Sequence, residues 1–112
     1  MELDSEDTLR RLKPDFTLLA KIPVRGVIVT SRAADYDFVS RFFAPASGIP
    51  EDPVTGSAHC CLGPFWSTRL NETEFVAYQA SARGGVVRVC LEGDRVLLGG
   101  QAVTVLRGEL LA

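Results

Sequence analysis

The segment from Ser57 to Leu70 limits what this 112-residue chain can fold into more than any other. Its apolar residues, Ala58, Cys60, Cys61, Leu62, Phe65, Trp66 and Leu70, occupy nearly every side of a helical wheel. A helix that is apolar all round has no face to offer water, so it is expected within its domain rather than on it. Pro64 lies inside the segment and removes one backbone hydrogen bond, which predicts a kink or a local break. Asn71 is the expected end.

Whatever buries such a helix must come from the rest of the chain, and the rest reads mostly as short strands. Val24 to Thr30 is a largely buried strand, and Tyr36 to Phe43 is an aromatic-rich one. Further β signals cover Glu74 to Ala80, Val86 to Glu92, Arg95 to Leu98 and Gln101 to Arg107. Gly84-Gly85, Glu92-Gly93-Asp94, Gly99-Gly100 and Gly108 punctuate them as turns or close approaches. Near the start, Ser5 or Asp7 caps a short helix running to about Leu12, and Pro14 stops it. Phe16 to Ala20 reads as extended, and Ala44 to Pro53 as loop. The combination predicts an α+β domain spanning 1–112, a curved sheet or partial barrel wrapped around a central buried helix.

Composition narrows the functional classes. Hydrophobic residues make up 46% and charged residues 23%, as in an ordinary folded domain rather than a disordered one. With net charge −2 there is no basic surplus to neutralise phosphates, so nucleic acid is excluded as a partner. The nearest basic cluster, Arg10-Arg11 with Lys13, reads as the solvated end of the first helix. Cys60, Cys61 and Cys90 have no metal-ligand spacing, and their odd number with an acidic, leaderless N-terminus predicts a reduced, cytoplasmic setting. No apolar run approaches the roughly 20 residues that span a bilayer.

The chemistry concentrates in Gly48-Ile49-Pro50-Glu51-Asp52-Pro53-Val54-Thr55-Gly56-Ser57-Ala58-His59. Two prolines lock a turn carrying two carboxylates, and the turn runs straight into the helix. The first amides of a helix lack internal partners and sit at its electropositive end. Kept free of bulk by Gly56, that end can receive a small anion such as a carboxylate. Asp52 precedes proline and is pushed out of helical geometry, which can aim its side chain toward the helix start; by itself it reads first as a turn or capping aspartate, and only the surrounding motif favours a ligand contact. Thr55 is either the cap or a ligand contact, and Ser57 either bonds backbone in the first turn or binds ligand. A serine nucleophile is disfavoured, because the only histidine stands two residues away and no nucleophile elbow exists. His59 reads as a hydrogen-bonded core imidazole, and Glu51 as a loop acid with a weaker claim on chemistry than Asp52.

These residues resemble a known family. Arg41-Phe42-Phe43-Ala44-Pro45 followed by Gly48 to Cys60, then Tyr78 to Gly85 and Gly99 to Gly108, are similar to the C-terminal domain of PhzF-type phenazine-biosynthesis-like proteins. The resemblance covers the chain from about Arg25 onward, and its most specific part is the Asp-Pro-x-Thr-Gly-Ser-Ala run. It implies a diaminopimelate-epimerase-like fold of two similar domains with the active site in the cleft between them. It also implies an isomerase that moves a proton on a small carboxylate-bearing substrate with no metal or organic cofactor. Asp52 matches a substrate-contacting acid of the family, and Gly56 and Ser57 match positions that hold the substrate at the helix start. Related epimerases place a catalytic thiol pair at the helix entrance, where this chain has Pro53 and Val54; Cys60 and Cys61 therefore read as buried small hydrophobes. Arg83, in the Tyr78 to Gly85 run, is a further candidate near the cleft.

The resemblance also implies what is missing. The family's proton-shuttling glutamate, in a Ser-Glu-Thr-type motif, and a cleft-lining Gly-His dipeptide belong to the other domain, and neither occurs here. The expectation is a half-enzyme: the product of a split or truncated gene, a fragment of a longer protein, or a stand-alone domain that dimerises. The leading functional expectation is an isomerase domain in which Asp52, Thr55, Gly56 and Ser57 hold a small acid. The alternative is a non-catalytic ligand-binding or oligomerisation module acting as a homodimer, or beside a separate N-terminal half.

Overall fold

The computed structural model describes residues 1–111. Ser5 caps a first helix, α1 (Glu6–Arg11), by accepting the Thr8 amide at 3.1 Å. Glu6 and Asp7 in its first turn pair with Arg10 and Arg11 one turn on, so the basic cluster is the solvated helix end read from the sequence. Phe16–Leu19 differs from expectation: it is a single helical turn, α2, not an extended segment. Asp15 accepts the Leu18 amide, and that local cap outweighs the β tendency of Phe16 and Thr17.

Two antiparallel strands follow, β1 (Val27–Arg32) and β2 (Phe38–Ala44), in register from Val27 opposite Phe43 to Arg32 opposite Phe38. The Ala44 to Pro53 stretch is more ordered than a loop. A 3₁₀ turn at Pro45–Ser47 leads through Gly48 at φ 84° into a short strand, β3 (Ile49–Glu51), which folds back on β2. The long helix α3 (Gly56–Leu70) then crosses to β4 (Glu74–Gln79), which lies parallel to β2. Parallel neighbours need such a crossover, because a tight turn cannot reverse the chain twice. β5 (Gly85–Glu92) and β6 (Arg95–Gly99) finish an antiparallel meander. The order β1-β2-β4-β5-β6, with β3 beside β2, leaves an open sheet, and the architecture is the α+β class read from the sequence.

The central strands are buried on both faces, which explains why Phe38 and Val39, adjacent and oppositely directed, are both fully buried. On one face Phe38, Phe75, Ala77, Val87 and Val89 meet Leu62 and Trp66 of α3. On the other, Val29, Val39 and Phe43 meet Leu9 of α1. Trp66, stacked on Phe38 at 5.6 Å, donates its indole N–H to the Thr30 hydroxyl at 2.9 Å. Arg41 ties the second layer down. Its guanidinium grips both oxygens of Glu51, at 2.8 and 3.0 Å, and donates to the Leu9 and Leu12 carbonyls at the end of α1. Glu51 is thus a structural partner, held next to the turn that carries Asp52.

α3 runs unbroken through Pro64 and ends at Asn71 in the left-handed conformation (φ 54°). Its sheet-facing residues Ala58, His59, Leu62, Gly63 and Trp66 are buried, but Cys60 and Cys61 are exposed. The expectation that both are buried does not hold in this chain, because its sheet covers only one side of the helix. Gln101 to Arg107 likewise forms no strand; its residues are exposed and pair with nothing among the described residues. The alternating pattern there is real, but a strand requires a neighbour, and beyond β6 none is available.

Among the described residues, His59 is the one titratable group sealed in this core. It has no exposed surface and stacks near Phe38, and its Nδ1 lies 2.7 Å from the Thr55 carbonyl. A carbonyl only accepts, so Nδ1 carries the proton and Nε2 is a buried lone pair without a partner. Burial pushes the imidazole pKa below its ordinary 6.5, against the smaller opposing effect of the Thr55 bond. The unfolded chain therefore takes up the proton first as pH falls. Stability should be fully present above pH 6.5 and decline as pH drops below that value toward the lowered one. Thermal unfolding between pH 7.5 and 5.5 should show a steeper loss for the wild type than for His59→Asn; parallel curves would rule the imidazole out as the cause.

Candidate functional site

The start of α3 meets the carboxyl end of β4, and one side chain joins them. Gln79 follows Phe75 and Ala77 on the core face of β4 and is fully buried. Its Oε1 accepts the Thr55 amide at 2.7 Å; its Nε2 donates to the Asp52 carbonyl at 2.8 Å and to the Thr55 hydroxyl at 3.1 Å. Because the Thr55 hydroxyl accepts from Gln79, its own proton goes elsewhere, and it is donated to the Asp52 carboxylate. Thr55 therefore occupies the cap position of α3 while its side chain caps nothing. Among the described residues, no side chain accepts from the first amides of the helix, at Gly56 and Ser57.

A second brace holds the same turn. The Ser81 hydroxyl donates to the Pro53 carbonyl at 2.8 Å and accepts the Gly84 amide at 2.9 Å. Val54 then packs against the backbone of Gly85, where a Cβ would lie 2.4 Å from its methyl group. That contact explains Gly85: only a residue without a side chain lets the helix entrance come this close to β5, while Gly84 is needed for its φ of 72° and its approach to the Tyr78 hydroxyl.

Two grooves flank the entrance. One, of about 350 Å³, is lined by Arg25, Phe42, Asp52, Thr55, Gly56 and Ser57, among others. The other, of about 730 Å³, runs from Val54 and Gly56 past Arg83 and Gly84 to Gln101. The four residues read from the sequence as a site are thus brought together on one wall: Asp52, Thr55, Gly56 and Ser57. Arg83 lines the second groove. The Ser57 hydroxyl, however, bonds neither backbone nor solvent alone; it accepts from the Arg25 guanidinium, 32 residues earlier.

Sequence reasoning named Gln79 only within the run to Gly85, as a candidate source of ligand contacts from a strand end, and did not find its bracing role; Arg25 was not singled out. For Gln79 a signal existed, since strict alternation in Glu74 to Gln79 places this amide on the same face as Phe75 and Ala77. A polar residue on a core face must find partners, and here it finds three. For Arg25 there was none. Among the cysteines, Cys90 is held as a thiol, its pKa pushed up by burial and then by Glu74 and Glu92. No group of three or more metal-ligating side chains exists among the described residues.

Replacing Gln79 by leucine should destabilise the fold by roughly 3 kcal/mol, because it strands a buried amide and a carbonyl together. Thr55→Ala should cost about 1 kcal/mol. Urea unfolding followed through Trp66 measures both; a Gln79→Leu loss no larger than that of Thr55→Ala would refute the bracing role.

This geometry has relatives. The family model for phenazine biosynthesis-like proteins (PhzC-PhzF) matches residues 1–108. An uncharacterised isomerase of Halalkalibacterium halodurans is 61% identical over 113 residues, covering 99% of this chain and 43% of the relative. A human phenazine biosynthesis-like domain-containing protein is 45% identical over 96 residues, covering 80% of this chain and 33% of the relative. Among solved structures, a putative phenazine biosynthesis PhzC/PhzF protein from Clostridium difficile superposes with TM-score 0.89 at 38% identity, over 100% of this chain and 44% of that one. A PhzF-family protein of Enterococcus faecalis gives TM-score 0.85 at 46% identity, over 88% and 38%. The chain thus spans less than half the length of these relatives. By sequence and by fold, it belongs to the phenazine biosynthesis-like (PhzC-PhzF) family.

Proposed function

We propose that this chain is the substrate-holding half of a cofactor-independent isomerase, one that moves a proton on a small carboxylate-bearing metabolite. The observation carrying this reading is the uncapped start of α3 beside a positioned acid: Thr55 gives its hydroxyl to Asp52 and leaves the Gly56 and Ser57 end open on a groove. Peptide dipoles converge at that end, and an anion there takes hydrogen bonds that the helix itself cannot satisfy. Gly56 and Ser57 receive the carboxylate, with Thr55 at the edge of the contact. Asp52 orients the substrate or stabilises the transferred proton; one of its oxygens is engaged by Thr55, which fixes the direction of the other. The main base is a glutamate outside these 112 residues. Family membership, with relatives named as isomerases, supports the reaction class.

The test is a titration of small carboxylates against the chain, followed by amide chemical shifts. Wild type should bind with shifts at Gly56 and Ser57, and Ser57→Ala should bind several-fold more weakly. Equal affinity in both, or no binding by either, defeats the reading.

A second reading, an association module, is favoured by a separate observation. Val86 and Leu98 stand 46% and 40% exposed in the lining of the larger groove, Leu97 on β6 is 48% exposed, and Val103, Val105 and Leu106 are 85–92% exposed in the tail. Apolar surface of that kind is normally covered. A homodimer, or a complex with a separate N-terminal half, would cover it and complete the cleft. Light scattering should find a mass near twice 12.1 kDa at high concentration. A monomer throughout the accessible range would exclude self-association.

A further inference from the structure

We propose that Arg25 makes the smaller groove selective for an acid by supplying a fixed guanidinium in the groove that Asp52 also lines; the inference deepens the isomerase-site reading and rests on it. Arg25 is exposed, yet its position is built rather than free. Its own carbonyl accepts the Ser47 hydroxyl at 3.1 Å, its guanidinium lies 5.7 Å from the centre of the Phe42 ring, and one nitrogen donates to the Ser57 hydroxyl. The next residue must be glycine for this to happen: a Cβ at Gly26 would lie 2.3 Å from the tip of the Phe42 ring. The ring therefore rests against bare backbone and presents its face to the cation. An aromatic face attracts a guanidinium and holds its plane, leaving the edge N–H groups to point elsewhere.

The charge so fixed lacks an anionic partner. Arg10, Arg11, Arg41 and Arg69 each have a carboxylate within 4.0 Å; none of the described residues provides one for Arg25, nor for Arg32, Arg83, Arg88 or Arg95, but of these Arg25 is the one that lines the groove with Asp52. Its neighbour Ser57 is instead the second residue of a helix, so a cation has been placed against a positive helix end. Like polarity brought together raises the potential of that wall and favours an anion between the two. A guanidinium offers five donors, of which the protein uses one, and its fork matches the two oxygens of a carboxylate. The same groove also has Asp52 in its lining, with Phe42 and Val54 as apolar walls. The occupant that fits is a small organic acid with an apolar body and a hydrogen-bond donor near Asp52. A volume of about 350 Å³ is at the small end of ligand sites.

The experiment uses 3-hydroxybenzoate and its neutral amide, 3-hydroxybenzamide, titrated against wild type, Arg25→Gln, Arg25→Lys and Ser57→Ala, with ¹H–¹⁵N shifts including the arginine Nε–H. Wild type should bind the acid in preference to the amide and move the Arg25 Nε–H signal. Arg25→Gln should weaken the acid about five- to tenfold and leave the amide unchanged, which removes the preference. Arg25→Lys should restore only part of it, because an ammonium lacks the fork. If Arg25→Gln binds the acid as well as wild type does while Ser57→Ala binds it poorly, Arg25 is not the selector and the helix-start site stands. If the acid binds wild type no better than the amide does, the selectivity claim fails. No binding of the acid to any form overturns this inference and the site reading together.

Discussion

The buried amide of Gln79 is the interaction on which the rest of the site depends. A side-chain amide offers an acceptor and two donors from one rigid plane, and here all three functions are spent on the turn from Asp52 to Thr55. Two consequences follow from the same atoms. The turn is fastened to β4, and the Thr55 hydroxyl is committed as an acceptor to Gln79 and as a donor to Asp52. In most helices a threonine at the cap position would satisfy one of the first amides itself. Removing that option leaves the start of α3 uncapped from within, which is what a binding end requires.

Charge around the entrance is arranged with similar economy. The two acids of the Glu51-Asp52 pair have separate duties. Glu51 pairs with Arg41, whose guanidinium also donates to the carbonyl end of α1, while Asp52 stays at the groove with one oxygen bonded. Arg25 contributes the opposite sign across a few side chains. His59, the only imidazole, lies one turn inside α3, with its proton fixed on Nδ1 by the Thr55 carbonyl and its basicity lowered by burial. It is part of the core that the entrance is built on. A buried lone pair with no partner is a cost, and the most it brings is a helix turn pinned to its own cap residue.

Several departures from sequence expectation share one cause. Cys60 and Cys61 face outward, and the alternating segment Gln101 to Arg107 lies exposed, because the surfaces that would cover them are not supplied by this chain's own sheet. The chain matches less than half of its relatives' lengths, and the C. difficile structure that superposes on all of it is more than twice as long. Propensity and alternation describe what a segment is able to do. Whether it does so depends on a neighbouring strand or an opposing face.

The sequence by itself determined a good deal. Apolar content in Ser57–Leu70, alternation in the strands, the Ser5 and Asn71 signals at helix ends, and the Asp-Pro-x-Thr-Gly-Ser-Ala run were sufficient for the α+β class, a long helix packed on the sheet by one side and the wall of residues from Asp52 to Ser57. All of these are local: periodicity, caps and a contiguous motif act within a few residues, so they are visible in one dimension. Tertiary structure decided which side chains complete that wall. Gln79 reaches it across 24 residues and Arg25 across 32, and Glu51 became structural only because Arg41 stands ten residues earlier on the paired strand. Such contacts follow from strand register and helix crossover, and a single sequence encodes these only through the packing of the whole domain.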